Sequence, residues 1–139
     1  MSNYKTQSHT LYNCKYHVVF CPKYRNRILK DEIRSTLITD LFSLIKEKDQ
    51  VEIDEINVQE DHVHMMLDIA PKYSISGVIG FLKGKSTIRM FKKHPNLRKK
   101  CYGKGLWSRG FCVGTIGLNE KQIRMYIIWQ EKKEKELEN

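Results

Sequence analysis

Val51–Ala70, VEIDEINVQEDHVHMMLDIA, contains two strand-like runs separated by three polar residues. The first run, VEIDEINV, alternates apolar and polar residues imperfectly, and the second, HVHMMLDIA, follows after Gln59, Glu60 and Asp61. Alternation with a period of two is typical of β-strands that bury one face. The stretch therefore predicts a β-hairpin, which Pro71 closes.

Upstream of this hairpin, the sequence predicts one strand followed by one helix. Thr10–Phe20, TLYNCKYHVVF, is rich in aromatic and β-branched residues and stops before Pro22, which indicates a strand. Asp31–Lys48 has acids at its start, lysines at its end and apolar residues at three-to-four spacing, which predicts an amphipathic helix. Its predicted core face comprises Ile33, Leu37, Ile38, Leu41, Leu44 and Ile45.

Downstream, a second helix is predicted to begin at Ser74, and it contains three glycines. A glycine inside a helix costs about 1 kcal/mol relative to alanine. Gly77, Gly80 and Gly84 therefore indicate either a close approach of DNA or of another element, or a break in the helix.

The C-terminal third predicts a loop, a strand and a helix. HPNLRKKCYGKG is a basic loop in this interpretation, and LWSRGFCVGTIG is a strand. Asn119 and Gln122 have the spacing of a capping box, which predicts a last helix over 120–138 with an exposed, charged end.

The resulting order, strand, helix, strand, strand, helix, strand, helix, predicts the fold class. It is that of an α+β, ferredoxin-like or RRM-like split βαβ domain, an antiparallel βαββαβ sheet, with one extra C-terminal helix. In this topology the third strand, which carries His62 and His64, is central and lies beside the first. A chain of 139 residues has room for one sizeable core, so we expect a single domain over residues 1–139.

The net charge of +9 is concentrated in one third of the chain. Residues 69–119 contain eleven Lys or Arg and no Asp or Glu, which leaves fourteen of the 25 bases and all sixteen acids to the other 88 residues. Such a basic segment favours a polyanionic partner, and we favour nucleic acid over a membrane, since no basic amphipathic helix with a bulky aromatic face is present. A solvated basic surface is the alternative.

Composition and motifs also argue against several classes of protein. No apolar run approaches the roughly 20 residues of a membrane-spanning helix. The N-terminal MSNYKTQSHT lacks the apolar core of a secretory signal, so we expect a cytoplasmic protein that is nucleoid-associated when bound to DNA. The four cysteines form no C-x-x-C pair, and neither disulfides nor a zinc ribbon is indicated.

His62 and His64 are predicted to point to the same face of their strand, because side chains on a strand alternate. An H-x-H pair is weak evidence alone, and two ordinary hydrogen-bonded histidines are the default interpretation. Tyr126 and Gln130, four residues apart in MYIIWQ, are neighbours on one face of the last helix. If that helix packs over the sheet, all four side chains converge.

Such a set of side chains has a recognisable chemistry. Two neutral imidazoles and an amide oxygen can hold a divalent cation and leave positions open for phosphate oxygens. A tyrosine hydroxyl, with an ordinary pKa of about 10, needs a metal ion or nearby positive charge to attack a phosphodiester at neutral pH. The structural alternatives are that Tyr126 packs on the core and that Gln130 is a surface residue.

Five segments carry a resemblance to a known family: NCKYHVVFCPKYR, DHVHMML, FLKGKS, LWSRGF and YIIWQ. Together they resemble the single-tyrosine HUH transposases of the insertion-sequence 200/605 family, nearly end to end. The resemblance implies that His62, His64 and Gln130 bind Mg²⁺ or Mn²⁺. It also implies that Tyr126 is the nucleophile, which attaches to a 5′ phosphate and leaves a 3′ hydroxyl.

The resemblance further implies a homodimer with active sites shared between subunits, which cuts and rejoins single-stranded DNA at mobile-element ends with subterminal hairpins. Two other functions stay open: a non-catalytic RRM-like nucleic-acid-binding module, and a tyrosine transposase relative that acts on dispersed chromosomal hairpins. Our candidates for DNA contacts, each otherwise a plain surface charge, are Lys15, Arg25, Arg27, Lys83, Lys85, Arg89 and Arg109.

Overall fold

The computed structural model describes residues 4–138 of the chain. In chain order its elements are β1 (Lys5–Gln7), β2 (Thr10–Tyr12), β3 (Lys15–Phe20), a 3₁₀ turn (Lys23–Arg25), α1 (Asp31–Ile45), β4 (Val51–Gln59), β5 (His62–Ile69), α2 (Ile75–Lys93), α3 (Pro95–Lys100), β6 (Cys112–Gly114) and α4 (Glu120–Glu138).

The main sheet is antiparallel, with the strand order β4-β5-β3-β6. β5 pairs with β4 on one side and with β3 on the other, so the strand that carries the two histidines is central. The predicted α+β, split βαβ arrangement and the predicted hairpin are confirmed.

The predicted single strand Thr10–Phe20 was wrong, because the chain breaks it at Asn13 and Cys14. β2 pairs with β1 in a separate two-stranded sheet, and only β3 joins the main sheet. Asn is a poor strand residue, but the aromatic and β-branched residues on both sides of Asn13 conceal the break. Lys5 on β1 pairs with Glu52 and with Asp68, which ties the small sheet to β4 and β5.

α1 and α2 cover one face of the main sheet and form the main core with it. Leu37, Leu41 and Leu44 of α1 are buried as predicted, and each contributes about 1.5–3 kcal/mol relative to exposure. The hydroxyl of Ser74 caps α2 by accepting from the Gly77 N–H at 3.0 Å.

α2 is continuous through its three glycines, so the alternative of a broken helix was wrong. A Cβ atom at Gly80 or Gly84 would meet no atom within 4 Å in the described part of the chain. A close approach of another protein element therefore does not explain these two glycines.

The segment between α2 and α4 differs most from the prediction. Part of the predicted basic loop is α3, which has Pro95 at a position that proline favours and anchors itself through buried Leu97. The predicted strand over 106–117 was also wrong outside Cys112–Gly114, because Gly110 has a φ of +77° and Trp107 makes only an isolated bridge to Pro22.

α4 lies on the opposite face of the sheet from α1 and α2, where Ile123 and Ile127 pack on Val19. The predicted capping box is confirmed, since the Asn119 side chain accepts from the Gln122 N–H and the Gln122 side chain accepts from the Asn119 N–H, both at 2.9 Å. Across the described residues, none of the helices combines the length and apolarity needed to cross a membrane.

Candidate active site

His62 and His64 open on a cleft of about 970 Å³ on one face of the main sheet. The register places His64 opposite Val19, and Val19 packs against Ile123 and Ile127, so the histidines share this face with α4. We call this space, bounded by the β4–β5 turn and the starts of α1 and α4, the histidine cleft. The prediction that both imidazoles point to one face is confirmed.

Asp61, in the β4–β5 turn, contacts the ring of His62. Nδ1 of His62 lies 2.9 Å from Oδ1 of Asp61, and Nε of Arg25 donates to Oδ2 at 3.1 Å. Partial burial raises the pKa of Asp61, but the hydrogen bonds from His62 and Arg25 outweigh burial and hold the pKa below its usual range. This contact between Asp61 and the first histidine of DHVHMML was not predicted from the sequence.

His64 lies beside a third histidine, His17. Partial burial lowers the pKa of His64, and the neighbouring rings of His17 and His62 lower it further. The ring centroids of His17 and His64 are 5.7 Å apart, and Nδ1 of His17 is buried with no hydrogen-bond partner in residues 4–138. The position of His17 beside the histidine pair was not predicted. His17 lies two residues before Val19 on β3, the strand next to β5, so the alternation of side chains along β3 was the available signal.

Tyr126 and Gln130 lie on α4 but do not line the histidine cleft. The Tyr126 hydroxyl is buried and has no hydrogen-bond partner among the described residues. Burial raises the pKa of this phenol, and the nearby titratable groups Cys21, Cys112 and Glu134 raise it further. In this arrangement the hydroxyl is protonated, and Gln130 is buried as well.

Glu134 fixes the second half of α4 to the body of the protein. It is 7% exposed, accepts a hydrogen bond from the Ser108 hydroxyl, and accepts from the backbone N–H of Tyr24 at 3.1 Å. The charged end of α4 is exposed as predicted, except at Glu134. A charged run at helical spacing gives no sign that one carboxylate meets buried donors from distant segments.

The family of the chain is shown by its similarity to known proteins. Residues 10–130 match the family model described as Transposase IS200 like. The chain belongs to the IS200-like transposase family. It is 39% identical over 135 residues to the transposase for insertion sequence element IS200 of Salmonella typhimurium, an alignment that covers 97% of this chain and 88% of that protein. It is 35% identical over 125 residues to the ISDra2 transposase TnpA of Deinococcus radiodurans, with 89% of each chain covered.

Solved structures support the same fold. A crystal structure of a candidate transposase from Deinococcus radiodurans superimposes with a TM-score of 0.82 at 31% identity and covers 91% of this chain and 97% of that one. A REP-associated tyrosine transposase bound to a REP hairpin superimposes with a TM-score of 0.56 at 15% identity, covering 88% and 67%. The second likeness concerns the fold alone.

The histidine cleft of this IS200-like transposase contains two side chains that could hold a divalent cation, His62 and His64. The imidazoles share one face, and a carboxylate behind His62 is the usual support for a metal-binding histidine. Among the described residues, the single trio of His, Cys, Asp or Glu with convergent ligand atoms is Glu52, Asp54 and Asp68, and Lys5 pairs with two of these acids. The donors at the cleft therefore fit a cation that takes its remaining ligands from an amide, water or phosphate.

The cations around the histidine cleft come from an unexpected part of the sequence. The basic segment 69–119 contributes only Leu118 to the cleft lining. The basic side chains of the lining come instead from the segment before α1 and from the two helix starts, and they are Arg25, Arg27, Lys30, Arg34 and Arg124. Four acids share the lining: Asp31, Glu60, Asp61 and Glu120. Lys30, Arg34 and Arg124 were missed, because acids close by in sequence mask them in a count of net charge.

Four of the seven candidate DNA contacts in this IS200-like transposase form ion pairs or hydrogen bonds within the chain. Burial lowers the pKa of one of them, Lys83. Their partners are Asp54 for Lys15, Asp61 for Arg25, the carbonyls of Ser108 and Gly110 for Lys83, and Glu47 for Arg89. The other three, Arg27, Lys85 and Arg109, are exposed and have no ion pair in the described part of the chain. All seven stay predictions as DNA contacts.

Proposed function

We propose that this transposase cuts and rejoins single-stranded DNA by tyrosine transesterification assisted by a divalent cation. The observation that carries the proposal is the histidine cleft, in which two imidazoles and open space share one sheet face with the helix of Tyr126, and in which Arg and Lys outnumber Asp and Glu by five to four. Membership of the family makes mobile-element ends the expected substrate.

In the proposed reaction, the Tyr126 oxygen bonds to the phosphorus of a phosphodiester as the bond from phosphorus to the 3′ oxygen breaks. The phenol proton passes to solvent or a nearby base, and the departing 3′ oxygen takes up a proton. The products are a 5′-phosphotyrosine and a free 3′ hydroxyl. Because the broken phosphodiester bond is replaced by a phosphotyrosine ester bond, a second 3′ hydroxyl can attack that ester in the reverse step and join a new strand.

His62, His64 and Gln130 would hold the cation, which we expect to be Mg²⁺ or Mn²⁺. When bound, it polarises the phosphodiester and favours charge on the reacting oxygens. The cleft cations hold the DNA backbone beside the histidines, since guanidinium groups bind phosphate oxygens in a fixed fork. Arg27, Arg34 and Arg124 are the residues we assign to this contact.

We further propose a homodimer in which the histidine cleft of one subunit works with Tyr126 and Gln130 of the partner subunit. The support is that these two side chains lie outside the cleft of their own chain. Exposed apolar side chains lie on or just after β6 and on α4, and we propose that a second copy covers them; they are Val113, Ile116, Met125, Ile128 and Trp129. β6 pairs only with β3 in the described sheet, so its free edge can extend the sheet.

For the substrate, we propose single-stranded DNA with subterminal hairpins, handled in the cytoplasm and on the nucleoid. A relative of the same fold, the REP-associated tyrosine transposase, is bound to a REP hairpin, which supports a hairpin ligand for this chain. The net charge of +9 favours any nucleic acid, and the family favours the ends of a mobile element.

The proposed function is tested with labelled single-stranded oligonucleotides that span the element ends, incubated with Mg²⁺ and separated by denaturing electrophoresis. We expect a protein-linked DNA band that Tyr126→Phe abolishes while hairpin binding persists. Hairpin binding without any linked band would favour the non-catalytic binding module instead.

A further inference from the structure

Asp61 stands between His62 and Arg25, and nothing in the proposed reaction uses it. We propose that Asp61 is a positioning residue: held by Arg25, it fixes His62 in the tautomer that presents Nε2 to the histidine cleft. The inference deepens the proposed function and rests on its metal site, because it concerns which nitrogen of His62 is available as a ligand.

The side chains of Arg25, Asp61 and His62 lie in a row and are largely shielded from water. The exposed fractions of the side chains are 17% for Asp61, 14% for His62 and 26% for Arg25. Hydrogen bonds to an ionised group are stronger than neutral ones, and poor access of water strengthens them further. The contacts at 2.9 Å and 3.1 Å are therefore strong enough to hold an imidazole ring in one orientation.

The proton assignment follows from the chemistry of the partners. A carboxylate can only accept hydrogen bonds, so the hydrogen between His62 and Asp61 belongs to Nδ1 of the ring. A neutral imidazole with its hydrogen on Nδ1 keeps a lone pair on Nε2. Asp61 thus selects the nitrogen that remains free to bind a cation.

Arg25 makes this selection rigid, because it occupies the second oxygen of Asp61. Rotation of the carboxylate would break either the contact with His62 or the contact with Arg25. Arg25 and its neighbour Tyr24 both have positive φ, +53° and +59°, a conformation that costs a non-glycine residue on the order of 1–3 kcal/mol. Such strain persists where surrounding contacts over-determine it, as the Asp61 pair does here.

Arg25 also extends the row to the tyrosine helix. Its NH1 group lies 3.8 Å from the carboxylate of Glu131, which directly follows Gln130 on α4. This outer contact is too long for a hydrogen bond and gives a useful control, because Glu131→Gln alters the row without touching Asp61.

The first test is the tautomer of His62 in the metal-free, chelator-treated protein, measured by long-range ¹H–¹⁵N correlation spectroscopy with His62→Gln as the assignment control. We expect the proton on Nδ1 in the wild type and in Glu131→Gln, and a shift to Nε2, the form that imidazole favours in water, in Asp61→Ala. A wild-type proton on Nε2, an unchanged tautomer in Asp61→Ala, or a change in Glu131→Gln would each overturn the proposal. The wild-type result stands even if a variant fails to fold.

The second test is the affinity for Mn²⁺, measured by electron paramagnetic resonance. Loss of the carboxylate behind a ligating histidine weakens metal binding about 10–100-fold, so we expect that change in Asp61→Ala and none in the exposed Asp49→Asn. Equal affinity in wild type and Asp61→Ala contradicts the positioning role. Absence of Mn²⁺ binding in the wild type contradicts the proposed metal site instead, and the tautomer then decides the role of Asp61 by itself.

Discussion

At the scale of single residues, Tyr126 combines a proposed reactive group with an unfavourable environment. Its hydroxyl is buried without a hydrogen-bond partner in the described structure. Leaving a buried polar group unpaired costs about 1–3 kcal/mol. If Tyr126 is the nucleophile, its unpaired hydroxyl lowers the stability of the folded protein for the sake of activity, which is a common trade-off.

We therefore predict that Tyr126→Phe, which removes that hydroxyl, raises the free energy of unfolding by about 1 kcal/mol. Urea denaturation followed by tryptophan fluorescence measures the change. Tyr102→Phe is the matched control, since the exposed ring of Tyr102 should give no difference. A less stable Tyr126→Phe protein would mean that the hydroxyl has a partner in solution.

The stability difference between wild type and Tyr126→Phe is also predicted to widen above about pH 10. An unfolded tyrosine ionises near pH 10, whereas burial raises the pKa of Tyr126 in the folded chain. Between the two values the folded state binds more protons, so the stability of the wild type falls as pH rises. Urea denaturation at pH 8 and pH 10.5 checks the sign, and a constant difference between the two proteins would contradict it.

At the scale of elements, α4 is held by few contacts and α2 by many. α2 packs into the main core, whereas α4 depends on Ile123, Ile127 and the hydrogen bonds of Glu134. Hydrogen bonds to a charged group contribute about 1.5–3 kcal/mol. Glu134 therefore accounts for a large share of the stability of α4 in this position.

Glu134→Ala is expected to loosen α4, because it removes the acceptor of both the Ser108 hydroxyl and the Tyr24 N–H. Hydrogen exchange should show faster exchange over 120–138 and little change in β5. Glu136→Ala is the matched control, since Glu136 makes only an exposed pair with Lys133 that is worth about 0–1 kcal/mol. Equal exchange in the two variants would remove Glu134 from this role.

Gly80 and Gly84 of α2 give a prediction that separates folding from DNA binding. Both sites have open space for a methyl group, so Ala at each is expected to raise the free energy of unfolding by about 0.5–1 kcal/mol. If the glycines admit DNA, the double variant also binds single-stranded DNA more weakly. Tighter or equal binding would show that the glycines do not serve a DNA contact.

Much of the fold was predictable because its elements carry strong local patterns. The three-to-four spacing in α1, the alternation in β5 and the Asn119–Gln122 box each specify one structure. The errors fell where tertiary contacts decide: Asn13 divides a run of strand-forming residues, and Gly110 shortens β6. The partners of Glu134 lie 26 and 110 residues away, which no local pattern reveals.

At the scale of the whole molecule, the proposed dimer explains why one chain presents its histidines and conceals its tyrosine. β6 has a free edge in the described sheet, and exposed apolar side chains lie on or near β6 and on α4. In the proposed dimer, the second copy covers these side chains.

This arrangement predicts complementation between two inactive variants. His64→Ala lacks a ligand and Tyr126→Phe lacks the nucleophile, so each homodimer should fail to cleave. In a mixed dimer with shared sites, one cleft receives intact histidines and an intact tyrosine, and we expect about a quarter of wild-type activity after random exchange of subunits. No recovery in a verified mixed dimer would place each tyrosine in the cleft of its own chain.

The most direct test of the central claim is the chemical location of DNA on the protein. A single-stranded oligonucleotide carrying the element end is incubated with the protein and Mg²⁺. The protein–DNA adduct is digested with trypsin and nuclease, and the nucleotide-bearing peptide is sequenced by mass spectrometry. The proposed mechanism predicts a 5′-phosphotyrosine at Tyr126 alone, together with a free 3′ hydroxyl on the released strand. Cleavage with the phosphate on another residue, or on no residue, would contradict it.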